Sequence, residues 1–449
     1  MKWIVVLCLF ASVPTLAQAI RHNAKYRTLA WVALGFLAIE QTPLDLNFAL
    51  VTWAGQWPGY VSGMEVALVD IVTLALAINL KGKGGGIPVM RFFALYFVAV
   101  VTSACLAAVP MASFFYVWQL LRVIFVYYVV ARYCRDTEVV FCLLKGMALG
   151  LLYNVALAAW QRFGLGVLQT NGGFGHQNIF GMMTHFVVLP YFALLLTDTK
   201  KFLPWAVTLL GAFAAILTTS RGTLAMTFAG FAAIYLISLV RQYSPAKLRV
   251  AGMGLLAGIV LVPLFVSSFE ARLGNDIGES FLTVDEERNQ LNIIAANMLS
   301  DHPMGVGPNH YVVTALSGGY NERSSLSWTS YKAVVHNVYR LVAAETGYLG
   351  IIGYVIMIAQ PTIAAFVWAR RTRDVRGDLL LGIGVALLTV YSRSFFEWVF
   401  IMKEGQYMFA FAAAMIVGLA RSLSEGRHSA HEPPFAFDVR PAPQTLGPR

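Results

Sequence analysis

The sequence predicts an all-α, polytopic transmembrane helical protein, and three observations carry that prediction. Apolar residues make up 58% of the 449-residue chain and charged residues only 12%. Counting the glycines as well, the apolar share is roughly two thirds, against about 45–50% in soluble domains. So few charges cannot cover a water-facing surface, which excludes a soluble enzyme, a disordered chain and a disulfide-rich secreted domain together. Second, apolar runs of about 20 residues, the length that crosses a hydrocarbon core of about 30 Å, recur along the chain. Third, lysine and arginine collect between alternate pairs of those runs, as the positive-inside rule expects.

The runs fall near 3–20, 28–40, 59–80, 92–110, 113–131, 139–159, 179–197, 203–219, 222–240, 250–267, 341–368, 379–400 and 405–420. Because the segment at 28–40 is short, the expected count is about 12–13 spans. Basic clusters at Arg21/Lys25/Arg27, Lys81/Lys83/Arg91, Arg132/Arg135, Lys200/Lys201, Arg241/Lys247/Arg249, Arg370–Arg376 and Arg421/Arg427 mark cytoplasmic loops. Loops 41–58, 160–178 and 268–337 then face outward. Met1 to Ala19 imitates a signal peptide, ending Ala17-Gln18-Ala19, but the basic cluster behind it favours a retained helix. The expected organisation is N-terminal transmembrane helices over 1–267, a large outer loop with short helices over 268–337, and C-terminal transmembrane helices over 338–420. Residues 421–449, rich in proline and polar residues, are expected to be a disordered cytoplasmic tail.

The net charge of +10 therefore points to topology and not to nucleic acid. Cys8, Cys105, Cys134 and Cys142 lie in or beside apolar runs without a CxxC pair, which makes them packing residues. The outer loop 268–337 runs against the whole, with eight acids and four bases. Within it, Thr283 to Glu286 fits a capping box that starts a helix. Leu291, Ile294, Ala295, Met298 and Leu299 then repeat at helical spacing, and Asp301-His302-Pro303 ends the segment. Arg288 shares the edge of that apolar stripe, so it either points toward the membrane domain or pairs at the surface with Asp285 or Glu287.

Charges at membrane depth are functional candidates by default. Arg221 sits in Thr218-Thr219-Ser220-Arg221-Gly222, a tight turn between two apolar helices. Its guanidinium fork suits a phosphate, and the plainer alternative is an arginine snorkelling to headgroups. Arg122 and Lys145 have Glu65 and Asp70 as structural partners within reach. His336 closes the outer loop before an apolar helix that carries Glu345. A histidine there can accept a hydroxyl proton near neutral pH, although lone histidines are more often structural. His176 and Asn178 lie in Gly172-Gly173-Phe174-Gly175-His176-Gln177-Asn178, a turn entering the helix at 179. The chain shows no EF-hand, HxxxH, P-loop, dinucleotide or Gly-x-Ser-x-Gly spacing.

This ordered series continues through His302-Pro303-Met304-Gly305-Val306-Gly307, His336-Asn337 and Ala344-Glu345-Thr346-Gly347-Tyr348-Leu349-Gly350. It resembles the O-antigen ligase and O-antigen or exopolysaccharide polymerase superfamily of bacterial membrane glycosyltransferases. The resemblance covers about residues 60–420 and is most specific from 170 to 350. It implies a C-type glycosyltransferase-like helical fold in the bacterial inner membrane, with a periplasmic site and a glycan donor on undecaprenyl diphosphate. It further implies an acceptor in lipid A–core or another glycan, contact with membrane lipids, and no metal or cofactor. By the same resemblance Arg221 and Arg288 bind the diphosphate and His336 is the catalytic base, with His176, Asn178, Asn337 and Glu345 as supporting residues. The ligase is expected ahead of a polymerase using the same donor, a protein O-oligosaccharyltransferase, or a transporter of the lipid-linked glycan.

Overall fold

A computed structural model describes residues 2–39, 47–52, 57–80, 90–276 and 281–425. The chain opens with α1 (Lys2–His22) and α2 (Ala24–Leu37), followed by a two-stranded antiparallel hairpin, β1 (Asn47–Thr52) and β2 (Gly63–Ala67). Next come α3 (Leu68–Ile78), α4 (Met90–Leu106), α5 (Pro110–Tyr133), α6 (Thr137–Ala159) and α7 (Gln177–Thr197). A π-helical turn, Trp160–Gly164, closes α6. The paired helices α8 (Phe202–Leu217) and α9 (Arg221–Arg241) precede α10 (Pro245–Asp276), α11 (Phe281–Asp301) and α12 (Tyr311–Ser317). The chain ends in α13 (Val338–Arg371), α14 (Val375–Arg393) and α15 (Lys403–Glu425).

Each predicted run meets a helix, and the architecture is that of an all-α, multi-pass membrane protein. Among the described residues eight helices are long and apolar enough to cross a membrane, and three apolar helices are shorter. The run at 59–80 departs from expectation. Its first half pairs as β2 with β1, and only the 11 residues of α3 are helical. Gly63 permits this pairing, since a Cβ there would stand 2.3 Å from the Val51 carbonyl oxygen. The run at 379–400 also ends early, at Arg393, where the chain turns. The expected outer loop is largely helical, because α10 runs on to Asp276 and α11 begins at Phe281, two residues ahead of Thr283. The Thr283 side chain and the tail beyond Glu425 lie outside the described residues.

Helix α7 is buried along nearly its whole length and packs on α8, α9 and α14. It is apolar all round, as a central helix must be. Helix α2 meets α6 through small residues: a Cβ on Gly146 would stand 2.0 Å from the Val32 carbonyl oxygen. Such residues let backbones approach in membrane bundles. The buried Arg122 bonds Asp70 at 2.8 Å and lies 3.9 Å from Glu65, so the expected compensation forms. Lys145 does not take part. It is exposed, and Lys403 on α15 takes the second basic place, 3.1 Å from Glu65.

Helix α13 breaks at Gly347 (φ 71°). Segment 303–307 docks into that break. Val306 and Gly307 donate to the Ala344 and Glu345 carbonyls at 3.0 and 2.9 Å, and Tyr348 donates to the Pro303 carbonyl at 3.1 Å. A broken helix leaves carbonyls that need donors at this depth. This is the structural reason for the glycines of His302–Gly307 and of Gly347.

Candidate functional site

Three helix N-termini meet at one end of the bundle. Helix α7 starts after His176, whose Nδ1 accepts from the Asn178 N–H at 3.2 Å. Helix α9 starts after Ser220, whose hydroxyl accepts from the Thr223 N–H at 3.4 Å. Helix α13 starts after Asn337, whose Oδ1 accepts from the Tyr339 and Arg340 N–H groups at 3.0 and 3.1 Å. Each N-terminus carries a partial positive charge, so the region is receptive to anions.

The turn between α8 and α9 is as short as the sequence suggests, three residues from Leu217 to Arg221. Thr219 takes a left-handed conformation (φ 50°) that is costly for a β-branched residue. Its hydroxyl donates to the Leu168 carbonyl at 2.8 Å, and Thr170 donates to the Leu217 carbonyl at 2.8 Å. The loop before α7 thus holds the turn that presents Arg221. Gly181 lets α7 and α9 close at this point, because a Cβ there would lie 2.1 Å from Thr223 Oγ1.

Asn178 is the junction. Its Oδ1 accepts from Ser220 Oγ and from Arg393 Nη2, both at 2.8 Å, and its Nδ2 donates to Glu397 Oε1. Arg393, 4% exposed at the end of α14, also donates to Thr223 Oγ1 at 2.8 Å and Ser220 Oγ at 3.0 Å. Glu397, 5% exposed, turns its other oxygen to His336, with Oε2 3.9 Å from Nδ1. The His336 side chain is 35% exposed, while its Nδ1 is buried and makes no hydrogen bond among the described residues. The turn after α14 is locked to α13, since the Val338 N–H donates to the Ser394 and Glu397 carbonyls at 3.0 and 3.2 Å.

Arg288 reaches this group from α11. That helix buries Leu291, Ile294, Ala295 and Met298, and it packs against α13. The half-buried Arg288 makes no ion pair among the described residues. Glu287 instead accepts from Ser330 Oγ at 3.2 Å, so the surface-pair alternative with Glu287 does not form; the Asp285 side chain lies outside the described residues. Desolvation pushes His176 below the usual histidine range; Glu397 opposes this, and His336, Arg393 and Arg288 add to it. A neutral His176 is also what its capping role needs, because only an unprotonated Nδ1 accepts a hydrogen bond.

The structure brings together His176, Asn178, Arg288 and His336, with Arg221 next in the chain to Ser220. Asn337 stands with them as the cap of α13, and one predicted supporting residue lies elsewhere. Glu345 is buried, its carboxylate accepting from Tyr60 Oη and from the Tyr311 N–H at 3.0 Å, where it clamps segments 57–61 and 309–311 onto α13. Neighbouring Asn309 extends the clamp, bonding the Val61 N–H at 2.9 Å and its carbonyl at 2.8 Å. Arg393 and Glu397 are the residues that sequence reasoning missed. Their signal is an arginine and a glutamate four apart inside an apolar run, where each charge needs a reason.

Residues 206–355, from within α8 to the middle of α13, match the family model described as O-antigen ligase. The match contains Arg221, Arg288 and His336, while Asn178, Arg393 and Glu397 lie outside it. No curated protein matches the chain.

Proposed function

Because the chain belongs, through that segment, to the O-antigen ligase superfamily, we propose that it is an inverting membrane glycosyltransferase acting at the periplasmic face of the bacterial inner membrane. It moves a glycan from undecaprenyl diphosphate to a sugar hydroxyl, with lipid A–core as the acceptor. The observation that carries this reading is the convergence of Arg288, the Arg221 turn and three helix N-termini around His336 and Glu397.

In the reaction the acceptor oxygen attacks the anomeric carbon, and the bond from that carbon to the diphosphate oxygen breaks. The acceptor proton passes to His336. With Nδ1 on the Glu397 side, Nε2 is the nitrogen left to receive it, and Glu397 stabilises the imidazolium that forms. A positioned base of this kind contributes about 10²–10⁴-fold. Arg221 and Arg288 hold the departing diphosphate, whose charge grows as the bond breaks. Cations and helix dipoles aimed at developing charge stabilise the transition state more than the ground state. Arg393 is already taken up by Thr223, Asn178 and Ser220, so its role is to position the turn before Arg221.

Purified protein supplied with a lipid-linked glycan and lipid A–core tests the proposal. Release of undecaprenyl diphosphate matched one-for-one by a new glycosidic bond to core is expected. Glycan moved across a bilayer without bond formation would make the chain a transporter. Elongation of the lipid-linked glycan in place of core modification would make it a polymerase.

A further inference from the structure

The end of the bundle opposite the candidate site gathers arginines at one corner. Helix α15 begins beyond Glu397 and runs to Glu425, about 33 Å away at the helical rise per residue. Near its end Gly418 meets the turn between α5 and α6, since a Cβ there would stand 2.5 Å from the Cys134 carbonyl carbon. Arg421 lies one turn on from Gly418 along the same side of α15. Arg132 stands in the last turn of α5 and Arg135 follows Cys134, so the three come to the same place. Arg27 joins them from α2. It shares a helix face with Trp31, whose ring packs edge-on to Tyr133 with centroids 4.9 Å apart.

These four arginines are half-buried, unlike the exposed Arg370, Arg371 and Arg373 of the same end. The Arg135 side chain is 10% exposed and lies 3.5 Å from Glu425. Burial pulls its guanidinium below the ordinary arginine range; Glu425 opposes this, while Arg421 and Arg132 add to it. Arg132 lies over the Tyr128 ring, 4.3 Å from its centroid, and its buried Nε makes no hydrogen bond among the described residues. Asp136 is turned to the start of α6, where it accepts from the Glu138 N–H at 2.8 Å. Elsewhere at this end an arginine has its own carboxylate, Arg376 on Asp374 and Arg241 on Asp378. The sequence after Glu425 holds three arginines and two acids, so it adds no net negative charge.

Like charges crowded together and partly out of water repel one another, and a helix C-terminus offsets only about half a charge. An anion with several acceptor oxygens relieves that repulsion, and the guanidinium fork matches phosphate. Tyr26 and Leu29 are exposed on the adjoining face of α2, an apolar wall for acyl chains beside the cluster. We infer that Arg27, Arg132, Arg135 and Arg421 form a site for the headgroup of an anionic phospholipid, seated between α2, the α5–α6 turn and α15. Four guanidinia exceed the charge of one phosphate diester, so a headgroup with two, as in cardiolipin, fits the site best. The site lies apart from the proposed transfer and does not depend on it.

The test titrates cardiolipin into phosphatidylethanolamine nanodiscs that hold the full chain, with lipid retention and melting temperature as readouts. The cluster variant combines Arg132→Gln, Arg135→Gln and Arg421→Gln. The control combines Arg370→Gln, Arg371→Gln and Arg373→Gln, which removes equal charge from exposed positions of the same end. Cardiolipin should raise the melting temperature of wild type and control, because a ligand of the folded state stabilises it. The cluster variant should lose that rise and bind cardiolipin at least about tenfold more weakly. Equal loss in both variants would reduce the effect to diffuse surface charge and overturn the proposal. So would a wild type that retains cardiolipin no better than phosphatidylethanolamine. Displacement of the lipid by inorganic phosphate would overturn it too, since the site would then hold a soluble anion. Should the glutamine variant fail to fold, lysine at the same three positions keeps the charge and loses the forks. That variant should bind more weakly than wild type, and equal binding would contradict the site.

Discussion

Asn178 joins the parts of the candidate site, because one amide serves α9 and α14 through Oδ1 and the turn after α14 through Nδ2. Asn178→Ala leaves a buried guanidinium and a buried carboxylate each short of a partner. An unsatisfied buried polar group costs about 1–3 kcal/mol, more when charged, so the melting temperature should fall measurably. Asn178→Asp restores an acceptor for Arg393 but sets a second carboxylate against Glu397, and should not recover the wild-type value. His176 makes a pH-dependent contribution whose sign follows from its lowered pKa. The folded protein takes up this proton less readily than the unfolded chain, so the stabilisation is present above the ordinary histidine value of about 6.5 and is lost as pH falls below it. Protonation also removes the α7 cap and puts a positive charge at a helix N-terminus. Melting temperatures between pH 7.5 and 5 should fall in the wild type more than in His176→Asn, which keeps an acceptor that does not titrate. Of this site, His336, Arg221, His176 and Asn178 were legible because each stands where polar residues interrupt apolar runs at a helix start, and Arg288 because it edges the apolar stripe of α11. Arg393 and Glu397 were not, because their run looks like an ordinary helix end and only its fold onto α7 and α13 reveals their partners.

At the scale of elements, α13 is two helices joined at Gly347, and segment 303–307 completes the joint. Any side chain at Gly347 is opposed twice. Its φ of 71° disfavours L-residues, and a Cβ would stand 2.3 Å from the Pro303 carbonyl oxygen. Gly347→Ala should therefore destabilise the protein by about 1–3 kcal/mol. It should also raise proteolytic nicking in 303–311. The glycines of this joint are visible in the sequence, but their purpose is not, since the docking partners are about 40 residues apart. The same limit applies to 59–80. Composition alone reads as a span, and the strand pairing of β2 with β1 depends on a neighbour that the run does not contain.

At the scale of the whole molecule, basic loops among the described residues gather at the end opposite the site. Arg241 bonds Asp378 at 2.5 Å and the Thr372 carbonyl at 2.6 Å, tying the foot of α9 to that of α14. Arg135 lies 3.5 Å from Glu425, and Arg376 donates to Ser422. Loops spaced far apart in sequence are thus brought to one face, as alternating helices require. The positive-inside rule expects that face to be cytoplasmic, the premise on which the proposed periplasmic site rests. Arg221, Arg288 and His336 stand away from that face. The most direct test of the account is single-turnover transfer of glycan from undecaprenyl diphosphate by His336→Ala, compared with wild type at matched membrane insertion and donor binding. The expected result is a loss of at least about 10²-fold with donor affinity unchanged. Transfer at the wild-type rate would contradict the central claim that this histidine takes the acceptor's proton.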